Sequence, residues 1–187
     1  MIKDYISPDF YRFNQDSIMV AKLAAKYLLG SEEKVKIKTL KILDLGAGNG
    51  VIGIELARSL VATLPTISLE LHFCELQPEF IPFIEENCHH FANTIPKRIF
   101  NCSFSEFDGG HSYDIIVSNP PYFSVGAGKI SPKGLQRNIC RFFVRDSMAE
   151  FLQTIDRSLA PHPRSFALFS TRLPQVHGTS LVVAVRS

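Results

Sequence analysis

A short apolar strand followed at once by three alternating glycines is the feature that most constrains this chain. Residues 41–50 read KILDLGAGNG, and an apolar helical pattern continues over 51–57. Glycines at 46, 48 and 50 allow backbone angles that are closed to other residues and let a ligand approach the main chain closely. Units that bind dinucleotides begin with the same strand, turn and helix, so this turn alone leaves the kind of ligand open.

Beyond this turn the chain alternates strand-like and helix-like segments. Helices are predicted near 14–29, 50–62, 78–92 and 145–160, and strands near 41–45, 68–74, 97–102, 113–118, 165–170 and 181–185. Pro82 is expected to disturb the start of the third helix. The alternation predicts an α/β fold, a mainly parallel sheet with helices on both faces and a shortened C-terminal end. We expect one domain over 1–187, with a helical segment and linker over 1–38 and a Rossmann-like core over 39–187.

Two carboxylates accompany the predicted strands. Asp44 stands two positions before the first glycine, and Glu75 closes the strand-like run over 69–75. A carboxylate at the position of Glu75 could accept both hydroxyls of a ribose. Taken alone, Glu75 is better interpreted as a solvated strand end, and the neighbouring motifs favour the binding role.

A second motif, Ser118-Asn119-Pro120-Pro121-Tyr122, ends the apolar run over 113–117. The side-chain oxygen of Asn119 and the backbone carbonyl of Pro120 are two acceptors that could point at one planar NH₂ group, and Tyr122 could stack on the group that carries it. Two consecutive prolines stiffen the turn, so the acceptors would be held in place before a substrate arrives. The alternative is a strand-ending turn with a purely local role.

Together these motifs resemble those of class I S-adenosylmethionine-dependent methyltransferases of the Asn-Pro-Pro-Tyr group. The Gly-x-Gly-x-Gly spacing after Asp44 suits S-adenosylmethionine better than a pyrophosphate. Residues 10–21, FYRFNQDSIMVA, resemble the N-terminal stretch of bacterial tRNA adenine methyltransferases that act on valine tRNA, and so does the Asn-Pro-Pro-Tyr-Phe run followed by Arg137 and Arg141. The resemblance covers roughly residues 10 to 170.

The resemblance implies a set of site residues. The catalytic residues would be Asn119, Pro120, Pro121 and Tyr122. The residues that bind S-adenosylmethionine would be Asp44, Gly46, Gly48, Asn49, Gly50, Glu75, Leu76, Ser103, Phe104 and Asn119. The residues that bind the substrate would be Arg12, Phe13, Phe123, Lys129, Lys133, Arg137 and Arg141, with Tyr11 closing over the site. Many relatives carry an acid where Ser103 stands, and Phe104 could equally be a core aromatic.

The charge distribution favours a polyanionic substrate. Residues 121–187 carry nine lysines and arginines against three acids, whereas the whole chain has a formal charge of only +2. Arg137, Arg141 and Arg145 are spaced four apart and are expected to line one helical face. Such cations could hold the phosphates beside a flipped base, although a solvated charged face has the same composition.

The resemblance implies methyl transfer to the exocyclic amine of adenine in RNA, with tRNA as the expected partner. Alternatives left open are a glutamine methyltransferase acting on release factors and a catalytically inactive methyltransferase-like binding domain. DNA is a less favoured acceptor because the chain lacks room for a separate recognition region.

The remaining sequence features point to a cytoplasmic protein that neither crosses a membrane nor needs a metal. No apolar run is long enough to cross a bilayer. Cysteines at 74, 88, 102 and 140 lack Cys-x-x-Cys spacing and are expected to be buried, reduced thiols. Cys88-His89-His90 superficially suggests a metal site but lacks a partner cluster. The incomplete sheet edge near the C-terminus could support a homodimer.

Overall fold

The computed structural model describes residues 5–30, 38–124, 134–171 and 180–185. Five longer helices and strands open the chain, namely α1 (Gln15–Leu29), β1 (Thr39–Leu45), α2 (Val51–Thr63), β2 (Ser68–Cys74) and α3 (Ile81–Phe91), the last preceded by a 3₁₀ turn over Pro78–Phe80. The remainder comprises β3 (Lys97–Phe100), β4 (Ile115–Ser118), β5 (Phe123–Ser124), α4 (Leu135–Ile139), β6 (Phe142–Phe143), α5 (Met148–Ser158), β7 (Phe166–Thr171) and β8 (Ser180–Val185).

Six strands form one sheet in the order β3-β2-β1-β4-β7-β8. The first five run parallel, and β8 pairs antiparallel with β7. The short strands β5 and β6 form a separate parallel pair. The main sheet thus places the carboxyl ends of β1, β2 and β4 side by side, where ligands bind in open α/β sheets.

Both faces of the sheet are buried at its central strands, which explains why β4 and β7 are nearly continuous apolar runs. Ile42, Phe73 and Val117 face one core cluster that also contains the buried side chains of α1, α2 and α3. Leu43 and Ile116 face a second cluster, which includes Phe151 and Ile155 of α5. The predicted α/β fold with helices on both faces is confirmed.

Several element boundaries differ from the predictions. The strand expected to reach residue 102 ends at Phe100, because the chain turns there and Asn101 Nδ2 donates to the carbonyls of Glu75 and Leu76. The third predicted helix has the disturbed start expected from Pro82: Pro78–Phe80 form a separate 3₁₀ turn, and α3 begins only at Ile81. Pro82 then lies in the first turn of α3, where the helix needs no backbone donor.

The helix expected from residue 145 begins at Met148 instead. Ser147 caps α5, because its hydroxyl accepts the backbone N–H of Glu150 while the Glu150 carboxylate accepts the backbone N–H of Ser147. Within the four described stretches, no helix combines the length and the apolarity that crossing a membrane requires.

Candidate functional site

A cavity opens at the carboxyl ends of β1, β2 and β4, and we call it the first cavity. Its empty space is about 610 Å³ including the open mouth. Its wall combines the glycine turn, the end of β2 and the Asn-Pro-Pro-Tyr turn. The lining residues are Tyr11, Gly46, Gly48, Glu75, Leu76, Gln77, Phe80, Phe104, Asn119, Pro121, Ile139, Cys140, Phe142, Phe143, Val144, Arg145 and Asp146.

The glycine turn forms a bare stretch of backbone on this wall. The N–H groups of Gly46 and Ala47 both donate to the carbonyl of Cys74, at 2.8 and 3.0 Å, which ties the turn to the end of β2. Gly46 and Gly48 have φ values of +75° and +55°, in the left-handed region that glycine favours. A Cβ at Gly46 would lie 3.2 Å from the Phe104 ring, so only glycine leaves this space open.

Glu75 is the buried acid of the first cavity. Its Oε2 accepts the N–H of Gly48 at 2.7 Å, and its Oε1 accepts the N–H of Gln77 at 2.8 Å. Burial raises the pKa of Glu75, while these backbone donors favour the charged form. The backbone N–H of Leu76 also bonds this carboxylate, which has about four acceptor sites in all, so the side chain can still accept a hydrogen bond from a ligand.

Asp44 lies beneath the glycine turn and does not line the cavity. Its Oδ2 accepts the N–H of Gly53 in the first turn of α2, at 2.8 Å. Its Oδ1 is buried without a partner among the described residues. Burial raises the pKa of Asp44 to about 8, so the side chain is largely protonated at neutral pH.

Three more predicted cofactor residues do not line the first cavity, namely Asn49, Gly50 and Ser103. Apart from these and Asp44, every predicted cofactor residue lines it. The Nδ2 of Asn49 donates to the Ile6 carbonyl and to the Ser7 hydroxyl, and so fastens the N-terminal segment to the turn. Gly50 has left-handed φ and leads into α2. These residues and Asp44 support the wall from behind.

Two carboxylates lie near Ser103, one from the same loop and one from a distant part of the chain. The Ser103 hydroxyl donates to Oε2 of Glu106 at 2.8 Å. Asp146, which the sequence analysis did not identify, lines the cavity and accepts the N–H groups of Phe104 and Ser105 at 2.9 and 3.0 Å. No local motif marks Asp146, because the contact joins residues about forty positions apart.

A second cavity lies on the other side of Asn119. Its empty space is about 900 Å³ including its mouth. It is lined by Tyr11, Arg12, Asn14, Asn119, Pro120, Tyr122, Phe123, Arg137, Cys140 and Arg141. Tyr11, Asn119 and Cys140 line both cavities, so Asn119 stands at the boundary between them.

The Asn119 side chain is held by hydroxyl groups. Its Oδ1 accepts the Tyr122 hydroxyl at 2.6 Å and also the Ser170 hydroxyl. Its Nδ2 donates to Oγ of Ser17 at 3.0 Å. The Asn-Pro-Pro-Tyr turn therefore does more than end a strand, since it presents a fixed amide between two cavities.

The expected basic helical face is wrong. Helix α4 ends at Ile139, so Arg141 and Arg145 lie beyond it and the three arginines share no helical face. Arg137 donates to the Phe10 carbonyl at 3.1 Å, and Arg145 lies 3.8 Å from Glu106. The guanidinium of Arg141 lies 5.9 Å from the ring centres of both Phe123 and Phe142.

The other predicted substrate residues are divided among several places. Arg12, Phe123, Arg137 and Arg141 line the second cavity. Phe13 does not, because its ring packs edge-on against Tyr5 at 5.9 Å. Lys129 and Lys133 lie outside the described residues.

Tyr11 closes over the site from the segment before α1. Its ring packs edge-on against Phe80 at 5.0 Å, and a Cβ at Gly48 would lie 3.5 Å from its hydroxyl. Burial raises the pKa of Tyr11, so the phenol stays protonated. Gln77, Phe80 and Cys140 also line the first cavity and carry no motif that could have identified them.

The Cys88-His89-His90 run separates into buried and exposed parts. Cys88 is fully buried in the core, whereas His89 and His90 are exposed on α3 together with Glu86, and ligand atoms of these three lie within 4.8 Å of one another. None of them lines either cavity.

Comparison with known proteins adds family information. Residues 23–140 match the protein family described as methyltransferase small domain. A tRNA1(Val) (adenine(37)-N6)-methyltransferase from Parabacteroides distasonis is 30% identical over 159 residues, which cover 81% of this chain and 62% of that protein. A protein of the same name from Actinobacillus pleuropneumoniae serotype 5b is 28% identical, over 76% of this chain and 59% of its own length. A release factor glutamine methyltransferase from Salmonella typhimurium is 28% identical, over 67% of this chain and 43% of its own length.

The chain thus spans about three fifths of the length of the first two relatives. Among solved structures, the protein yhhF from Escherichia coli matches with a TM-score of 0.59 at 13% identity, over 90% of this chain and 85% of its own. A precorrin-6y C5,15-methyltransferase from Geobacter metallireducens matches with a TM-score of 0.51 at 14% identity, over 90% and 68%. These likenesses confirm the Rossmann-like fold of class I methyltransferases.

Proposed function

This chain belongs to the methyltransferase small domain family, and we propose that it transfers a methyl group from S-adenosylmethionine to the exocyclic amine of an adenine in RNA. The observation that carries the proposal is the position of Asn119 at the boundary of two cavities. One cavity suits a nucleoside-containing donor, and the other suits a base with neighbouring phosphates. The acceptor amide lies where the two ligands would meet.

The residues of the first cavity fit S-adenosylmethionine. The bare backbone at Gly46 and Gly48 leaves space that a Cβ would fill, and Glu75 can still accept a hydrogen bond from a ribose hydroxyl. Phe104 offers an aromatic surface for a purine. When bound, this cofactor supplies an already activated methyl group on its sulfonium, so the protein's own task is orientation and exclusion of water.

The turn after β4 would prepare the accepting nitrogen. The lone pair of an exocyclic amine is delocalised into the ring, and it becomes nucleophilic as hydrogen-bond acceptors draw on the N–H protons. Asn119 Oδ1 and the Pro120 carbonyl are such acceptors. Asn119 Oδ1 already accepts the Tyr122 hydroxyl, so an entering amine takes the place of that donor and frees the Tyr122 ring to lie against the base. The surplus proton of the methylated amine leaves to water.

The second cavity supports RNA as the acceptor. Arg12, Arg137 and Arg141 can contact phosphates, and Phe123 beside Arg141 offers a stacking surface. The relatives from Parabacteroides and Actinobacillus are named as enzymes acting on tRNA, and we extend that acceptor class to this chain, with the cytoplasm as its place of action.

A glutamine amide is the second candidate acceptor, because its NH₂ group offers the same two protons. The relative from Salmonella is named as a release factor glutamine methyltransferase. The cationic lining of the second cavity favours RNA over a protein side chain.

The test is transfer of radiolabelled methyl from S-adenosylmethionine to hypomodified tRNA, with release factor as a parallel acceptor. We expect label in tRNA as methyladenosine and a loss of about 100-fold or more in kcat for Asn119→Ala, the scale seen when one transition-state contact is removed. Asn93→Ala, at an exposed asparagine that lines neither cavity, is the matched control and should match wild type. Cofactor binding without label in tRNA, or label retained in Asn119→Ala, would refute the proposal. Label in release factor would favour the second candidate.

A further inference from the structure

We infer that Ser17 is a positioning residue for Asn119, holding its amide so that the oxygen faces the acceptor. This inference rests on the proposed function, because it assigns a role within the same reaction. It starts from a contact that no motif announces: Ser17 and Asn119 are 102 positions apart in the chain, and their side chains lie 3.0 Å apart.

Three separate elements converge on the Asn119 amide. Ser17 comes from the first turn of α1, Tyr122 from the same turn as Asn119, and Ser170 from β7. Ser17 and Ser170 are both buried, at 1% and 0% exposure, so their hydroxyl groups reach the amide from the protein interior. Asn119 itself is half-buried, and three hydroxyl partners are more than a residue that only ends a strand requires.

Ser17 itself is firmly placed. Asn14 caps α1, and its side-chain oxygen accepts the backbone N–H of Ser17 at 3.3 Å. Further along α1, Val20, Ala24 and Leu28 are fully or almost fully buried against the sheet. The helix therefore fixes the Ser17 hydroxyl relative to the end of β4, before any ligand binds.

The two ends of the amide are held in different ways. Oδ1 has two donors, Tyr122 and Ser170, whereas Ser17 is the sole acceptor for Nδ2 within the described part of the chain. The terminal torsion of asparagine is broad, so the amide plane turns easily when its partners change. When a substrate amine displaces the Tyr122 hydroxyl, the bond to Ser17 keeps Nδ2 in place and leaves Oδ1 aimed at the amine.

The inference predicts a specific kinetic pattern. Ser17→Ala removes one neutral hydrogen bond that acts on the orientation of a catalytic group, so kcat should fall about tenfold. The KM values for cofactor and RNA should stay within about twofold, since Ser17 lines neither cavity. Ser17→Thr keeps the hydroxyl and should recover most of the rate, whereas the nearly isosteric Ser17→Cys should not. Ser165→Ala is the matched control, because Ser165 is fully buried and hydrogen-bonded to Ala160 but lies just before β7, at the opposite end of that strand from Ser170.

A double-mutant cycle separates positioning from general destabilisation. Ser17→Ala should cost no further rate in an Asn119→Ala background, because the group that Ser17 positions is then absent. Wild-type kcat in Ser17→Ala, or an equal rate loss in both backgrounds, would overturn the inference. Thermal unfolding of each variant checks that the fold is intact.

A readout without catalysis keeps this test separate from that of the proposed function. The side-chain NH₂ resonances of Asn119, identified by their loss in Asn119→Ala, should shift in Ser17→Ala and stay unchanged in Ser165→Ala. If wild type transfers no methyl group, the proposed function fails while these resonances still report the contact. If the resonances do not move in Ser17→Ala, the positioning role is wrong even in an active enzyme.

Discussion

Replacing Asp44 by asparagine should make the free energy of unfolding less dependent on pH, because Asp44 is an ionisable group inside the core. Asp44 is fully buried, one carboxyl oxygen accepts the N–H of Gly53, and the other has no partner among the described residues. Burial raises its pKa to about 8 from an ordinary value of 3.8. Between those two values the folded state holds a proton that the unfolded chain has lost.

The sign and size follow from proton linkage. Because the folded state binds the extra proton, the free energy of unfolding falls as pH rises from about 4 to about 8 and levels off above that. Each pH unit in that window corresponds to about 1.4 kcal/mol, so wild type should lose roughly 2–3 kcal/mol between pH 6 and 8. Burial also raises the pKa of Glu75, so Glu75 makes the free energy of unfolding fall with rising pH in both wild type and Asp44→Asn.

Asp44→Asn keeps an oxygen for Gly53 and cannot ionise. Urea unfolding followed by circular dichroism at pH 6, 7 and 8 should show a shallower fall for Asp44→Asn than for wild type. Asp108→Asn, at an exposed residue, should follow wild type. Parallel curves for wild type and Asp44→Asn would refute the argument, as would a carbon-13 titration that finds Asp44 ionised at pH 6.

Two further predictions concern the core and the second cavity. Gly109→Ala should cost about 2–3 kcal/mol of unfolding free energy by overpacking, since its Cβ would lie 2.8 Å from Cα of Ser158. Gly110→Ala meets open space at φ +55° and should cost only about 1 kcal/mol of backbone strain; equal costs in urea unfolding would contradict this. Arg141→Gln should weaken RNA binding and lower the slope of log affinity against log salt by about one. Arg98→Gln, on the exposed edge strand β3, should leave that slope unchanged, and a slope unaffected by Arg141→Gln would remove this residue from the phosphate contacts.

The parts of the fold that local pattern controls could be predicted closely. The strand predicted at 68–74 is β2, and the glycine turn, Glu75 and Asn119 meet at one edge because parallel strands end together. Ser147 shows how a local signal can be overlooked: its capping box starts α5 three residues later than the apolar pattern suggested.

The remainder depends on contacts between distant parts of the chain. The spacing of Arg137, Arg141 and Arg145 fits a helix. However, α4 ends after five residues, because the chain next forms β6, which pairs with β5. Ser17 and Ser170 reach Asn119 across 102 and 51 positions, and Asp146 reaches Phe104 across 42. Hydrogen bonds of this kind carry no periodicity, so only the folded arrangement reveals them.

The small pair β5–β6 has a consequence for how such a chain can diversify. Phe123 pairs with Phe142 and Ser124 with Phe143, so the segment between them leaves and returns at adjacent points. Lengthening a loop whose ends are already clamped costs only about 0.6 kcal/mol for each doubling of its length. Exchanges or insertions over 134–141 would therefore change Arg137 and Arg141 of the second cavity while the glycine turn and Glu75, at the ends of β1 and β2, keep their places. In this respect the fold combines a constant part, at the ends of β1 and β2, with a replaceable part that is attached at β5 and β6.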